Sequence, residues 1–175
     1  MTNDIGQAIG IARGYLAEHP EEAAYTDSAA TAVIEDGLCC RVEGPRGASI
    51  VTDMPRGVGG GASAPSPGWI SRAAHAGCEA TVIAMRAAEL GIRLDRLEVV
   101  VDGESDDRGL LAVDETVAAG PSSQRVRVRI AAAGVEEGRL RELVDWADRH
   151  SPLSDLARRP VPLSVETEVV AATPS

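Results

Sequence analysis

The segment Pro67 to Leu90 constrains the fold most, because it reads as one long helix that is apolar on most sides. On a wheel of about 100° per residue, Arg72, His75, Glu79, Arg86 and Glu89 share one stripe. The other faces carry Ile70, Ala73, Ala74, Ala80, Ile83, Ala84, Met85 and Ala87. A helix of that kind is expected to be largely buried, with other elements around it. Small residues, among them Ala73, Ala74, Ala76, Gly77 and Ala80, let a neighbour come close. Gly91 is placed to terminate the helix. Cys78 falls on the shoulder of the polar stripe, beside Glu79 and one turn after His75.

The elements available to pack on this helix follow from pattern. Asn3 to Glu18 reads as an amphipathic helix that His19-Pro20 stops. Thr31 to Val42 reads as a strand with a turn at Asp36-Gly37 inside it, and Ala48 to Asp53 as another. Pro55 to Pro67 is rich in Gly and Pro and reads as a flexible connection. Its Gly59-Gly60-Gly61 lacks the spacing and trailing Lys of a phosphate loop. Leu94 to Gly103 is a strand with Leu97, Val99 and Val101 on one face. In Gln124 to Ala131, Val126, Val128 and Ile130 alternate with Arg125, Arg127 and Arg129, which marks one buried and one wet face. Val135 to His150 is an amphipathic helix, Ser151 to Arg159 a short helix, and Val161 to Val170 a last strand. Strands and helices do not alternate one for one. The expected class is therefore α+β with mainly antiparallel sheets.

A chain of 175 residues suits one domain. With no Phe and 2% aromatic residues, its core must be built from Val, Ile, Leu and Ala. A net charge of −10 argues against a nucleic-acid partner. Met1 to Ala17 lacks the basic start and apolar run of a signal peptide, and no long apolar stretch suggests a membrane span. Three cysteines, Cys39, Cys40 and Cys78, form no disulfide framework, so reduced thiols in a cytoplasmic setting are expected.

Cys78 has two readings. A thiolate is the reactive form and a nearby cation favours it, whereas most free cysteines are small buried hydrophobes. His75 is near enough on the helix to assist ionisation, or it is simply a hydrogen-bonded helix residue. Cys39 and Cys40 are adjacent on a strand and point to opposite faces. Their joint action as ligands or as a disulfide is not expected, and a resolving role toward Cys78 is the sharper alternative. The scattered His and Cys residues give no metal-binding spacing. The acidic run Asp102, Glu104, Asp106 and Asp107 is not a calcium loop and reads as a solvated hairpin tip. The Arg125, Arg127 and Arg129 stripe is a solvated face or an anion or dimer contact. His150 beside Ser151 lacks a third member for a triad.

The run Ala73-Ala74-His75-Ala76-Gly77-Cys78 resembles the first-cysteine helix of the osmotically inducible protein C and organic hydroperoxide resistance family. The order around it matches as well. Ser66-Pro67 precedes the helix, and Gly91-Ile92 and a strand ending near Asp102-Gly103 follow it. Val135 to His150, running into Ser151-Pro152-Leu153-Ser154, resembles the family's second-cysteine segment. The resemblance covers roughly Ala30 to Val170. It implies one OsmC-like domain over 1–175, with 1–29 a helical extension and 30–170 the core, and an intertwined homodimer with sites at the subunit interface.

The implied activity is thiol-dependent reduction of organic hydroperoxides, without a cofactor or metal. Cys78 stands at the attacking position and Arg56 at that of the family's loop arginine. Two departures matter. Ser151 occupies the second-cysteine position, and Gly68 stands where the family's Glu is expected. His75, Glu79 and Ser151 are the supporting candidates, with Asp53 or Glu79 as replacement acids. Three readings stay open: a one-cysteine peroxidase resolved by an external thiol reductant, a related thiol reaction, or a non-catalytic dimer that binds a small apolar ligand.

Overall fold

The structure, a computed structural model, describes residues 2–171. Helix α1 (Thr2–Glu18) is followed by strands β1 (Thr31–Asp36), β2 (Cys39–Glu43) and β3 (Ser49–Thr52). The long helix α2 (Pro67–Glu89) leads to β4 (Arg96–Glu104), the one-turn α3 (Asp107–Leu110) and β5 (Ser123–Ala131). Two helices end the order, α4 (Glu137–His150) and α5 (Pro152–Arg158). β1, β2 and β3 form one antiparallel sheet in that order, and β4 pairs antiparallel with β5 in a second. The α+β architecture with antiparallel sheets is as the sequence implied. No helix among the described residues is long and apolar enough to cross a membrane.

The ends of α2 are set locally. Ser66 Oγ accepts from the Trp69 amide, and Pro67 occupies the first turn, where a missing N–H costs nothing. At the other end Gly91 adopts φ 68°, which any side chain would resist. Its N–H bonds the Ala88 carbonyl, and that of Ile92 bonds Ala87, which satisfies carbonyls the helix leaves open. Ile92 then packs beside Ala87 in the core with Ile83, Leu143 and Ala147. Leu97, Val99, Val128 and Ile130 from the two-stranded sheet pack against this cluster. The alternation expected in β5 is present, with its Val and Ile half-buried and its Arg residues exposed. Arg125 and Arg127 pair with Asp102, and Arg129 with Glu98, across the β4–β5 ladder.

Four expectations are corrected. The Thr31 to Val42 segment is two strands, because Gly37 at φ 54° turns the chain back after Asp36. The acidic run is not a hairpin tip. Asp102 and Glu104 lie in β4, Asp106 caps α3, and residues 105–122 form a long connection. Val161 to Val170 is exposed and pairs with neither sheet of this chain, so it forms no strand. The burial of α2 is also reversed. His75, Glu79, Ile83 and Ala87, spaced by four, face the interior, while Ala74, Gly77, Thr81, Ala84 and Met85 are exposed. An alanine-rich face has little apolar area to lose, whereas the inward face combines His75 and Glu79 with Ile83, which the wheel sets apart from the polar stripe, and its polar groups find hydrogen-bond partners inside.

Candidate functional site

Cys78 meets the junction between α4 and α5. α4 ends at His150, Ser151 leaves helical geometry at ψ 119°, and Pro152 restarts the chain as α5. Ser151 is 0% exposed, and its Oγ accepts from the Ser154 amide at 3.5 Å, capping the new helix. The same oxygen lies 3.5 Å from Cys78 Sγ, across 73 residues of sequence. The cap uses one of the two lone pairs of the Ser151 hydroxyl, so either this hydroxyl or the Cys78 thiol can donate across the contact. Cys78 is half-buried.

Behind this pair lies a buried polar network. Ser154 Oγ donates to Glu79 Oε2 at 3.1 Å. A hydroxyl has one proton, so Ser154 accepts from His75 Nε2, also at 3.1 Å. His75 Nδ1 sits 3.1 Å from Gln124 Oε1 on β5. Both ring nitrogens of His75 are therefore engaged away from Cys78, and the network clamps the first turn of α5 and the start of β5 onto α2. Glu79 is 0% exposed, and its second oxygen, Oε1, has no partner among the described residues. Ser154 and Gln124 were not picked out from the sequence as site residues. Ser154 stands in the Ser151-Pro152-Leu153-Ser154 run, but nothing local marks its contact with Glu79, 75 residues away.

The glycine-rich segment is a folded loop rather than a flexible connection. Buried Asp53 collects the amides of Met54, Gly61 and Ser63 and the Ser63 hydroxyl at 2.7–3.3 Å. These donors, those of Ser63 foremost, hold the Asp53 carboxyl below its ordinary range. A Cβ on Gly60 would fall 1.9 Å from the Met54 carbonyl oxygen, so the loop requires glycine there. Arg56 opens the exposed turn Arg56–Val58 of this loop. Gly68 lines a cavity of about 440 Å³ with Met54, Val58, Arg72 and Leu110. The structure thus joins Cys78 to Ser151 directly and joins Glu79 to His75 through Ser154. It does not join Arg56 to either group. Cys39 and Cys40 are half-buried on β2, and Cys40 Sγ donates to the Arg41 carbonyl at 3.8 Å. Among the described residues, the one set of donor atoms close enough to share an ion is His19, Glu21 and Glu22, outside this site.

This arrangement has relatives. The family model described as OsmC-like protein matches residues 59–166, which spans α2, Cys78, Ser151 and both faces of the junction. Among solved structures, an OsmC-like protein from Mycoplasma pneumoniae has a TM-score of 0.65 at 16% identity, covering 77% of this chain and 89% of its own. An OsmC-like protein of unknown function from Vibrio cholerae gives 0.62 at 11%, covering 75% and 93%. An organic hydroperoxide resistance protein from Legionella pneumophila gives 0.53 at 22%, covering 77% and 91%. Among curated proteins none matches the chain significantly. At these identities the structural likenesses speak for the fold, and the family match spans more than half of the sequence: the chain belongs to the OsmC-like protein family.

Proposed function

We propose that the protein is a one-cysteine thiol reductase of organic hydroperoxides, acting through Cys78. The observation that carries this reading is the 3.5 Å approach of Cys78 Sγ to Ser151 Oγ. The sulfur stands beside a hydroxyl at the position where the family pattern has its second cysteine. In the reaction the Cys78 thiolate attacks the distal peroxide oxygen and the O–O bond breaks. The leaving alkoxide takes up a proton as the alcohol, and the sulfur becomes a sulfenic acid. Ser151 cannot form a disulfide, so an external thiol attacks the sulfenic acid and expels water. A second thiol equivalent releases Cys78 and carries away the reductant's disulfide. Arg56 is the guanidinium this reading assigns to the thiolate, moving in from the exposed turn. The solved relatives named as organic hydroperoxide resistance proteins support the substrate class.

A homodimer belongs to the same reading. Val33, Ile34 and Ile50 of the three-stranded sheet, Met85 on α2 and Leu163, Val165 and Val169 of the C-terminal segment are large apolar side chains left exposed. A second copy covering them explains why β1–β3 lacks a packed layer within one chain.

The test is peroxide consumption with an organic hydroperoxide and a thiol reductant, for the native chain and for Cys78→Ser. Turnover by the native chain alone is expected. If neither consumes peroxide, the chemistry is lost and a ligand-binding role takes its place.

A further inference from the structure

Arg72 is a cation with no counter-ion among the described residues. Of the arginines that lack an acidic partner there, Arg46, Arg56, Arg93 and Arg149 are exposed, and only Arg72 is half-buried. The side-chain hydrogen bonds of α2 involve His75, Cys78, Glu79, Arg86 and Glu89, and none involves Arg72. Taking a guanidinium partly out of water without an acceptor costs free energy. The group lies at the start of α2, its Nη1 3.8 Å from where a Cβ on Gly68 would stand. Gly68 is exposed and puts no side chain there, so an incoming group has access to the guanidinium.

Arg72 and Gly68 line the cavity of about 440 Å³ between the loop after β3, the start of α2 and α3. That volume is in the range of small-molecule sites, roughly 300–1,000 Å³. Met54, Val58, Leu110 and Ala119 make its wall largely apolar. Two acids also line it. Asp106 is held by Arg108 through both carboxylate oxygens, at 3.1 and 2.6 Å. Asp107 is exposed, where water screens it, and it forms no ion pair with Arg72. Asp53, beside Arg72 in the adjoining cavity, already accepts from the amides of its own loop. The unpaired half-buried charge of the cavity is therefore positive. An anion with an apolar body fits both the cation and the wall, and a guanidinium matches a carboxylate with two parallel N–H donors.

We infer that this cavity binds a short aliphatic monocarboxylate, its carboxylate accepting from the Arg72 guanidinium beside Gly68 and its chain lying on Met54, Val58 and Leu110. Cys78 does not line the cavity. The ten residues from Gly68 to Cys78 span about 15 Å of helix axis, so the site stands apart from the thiol chemistry.

The test titrates hexanoate, with n-hexanol as the neutral control of the same chain length, into the full chain, followed by amide chemical shifts. Saturable binding of hexanoate is expected, at least tenfold tighter than the alcohol, with shifts at Gly68, Val58 and Leu110. Arg72→Gln should weaken hexanoate at least tenfold and leave the alcohol alone. Gly68→Glu supplies a carboxylate one helical turn before Arg72, within reach of its guanidinium, and should compete hexanoate out to the same extent. Asp107→Asn, which removes the exposed opposing charge, should tighten it. Cys78→Ser should leave binding unchanged, whatever becomes of peroxide turnover. If Arg72→Gln does not fold, Gly68→Glu decides alone. Equal affinity for hexanoate and hexanol would overturn the inference. So would no saturable shifts with either probe, or hexanoate affinity unchanged in Gly68→Glu.

Discussion

Ser151→Cys should restore a resolving thiol and lock the chain with a disulfide to Cys78. The partner atoms now lie 3.5 Å apart, so the sulfurs must close by about 1.5 Å to reach the bonded distance of about 2.0 Å. The link would close a loop spanning 73 residues. Chain-entropy loss in the unfolded state for such a loop is on the order of 15 cal/mol/K, or about 4 kcal/mol at 25 °C. Loss of the Ser151 cap on α5 offsets roughly 1 kcal/mol of that. The remaining gain of about 3 kcal/mol corresponds to a rise in Tm of roughly 6–12 °C for a chain of this size. The assay is thermal unfolding of the variant with and without dithiothreitol, in a Cys39→Ser, Cys40→Ser background. Thiol titration there should fall from two to none on mild oxidation. If both thiols stay titratable after oxidation and Tm does not respond to reductant, then Ser151 does not face Cys78 and the proposed one-cysteine cycle loses its structural basis.

Two further outcomes follow from the packing and the loop. Ile83→Ala, at the fully buried centre of the core, should cost about 2–5 kcal/mol in urea unfolding; a loss under 1 kcal/mol would mean that α2 is not packed as described. Asp53, whose carboxyl is held below its ordinary range by the Ser63, Met54 and Gly61 donors, binds a proton less readily folded than unfolded. Its stabilising contribution is therefore full above the unfolded pKa of about 4 and is lost as pH falls through the folded value. The stability gap between native and Asp53→Asn should be wider at pH 6 than at pH 3, and an equal gap at both would refute the assignment.

The local features of this chain were readable because their causes are local. Ser66-Pro67 and Gly91 bracket α2 through cap chemistry that needs only neighbouring residues. The Val and Arg alternation of β5 is the pleat itself. The run around Cys78, with Ser151-Pro152 in its proper order, carried the family resemblance, and the family match bears that out. What the sequence could not decide was which side of α2 faces inward. A wheel sees His75 and Glu79 as a polar stripe, but their burial depends on Gln124, 49 residues from His75, and on Ser154, 79 residues from it. The order of Asp53's loop likewise comes from donors up to ten residues on that converge only when the chain closes. Val161 to Val170 shows the opposite case: the strand pattern is in the sequence, yet a strand exists only where it is paired, and within this chain the segment pairs with neither sheet. Composition and periodicity thus determine elements and their ends, whereas tertiary structure decides which polar groups are admitted inside, because that depends on partners brought from far along the chain.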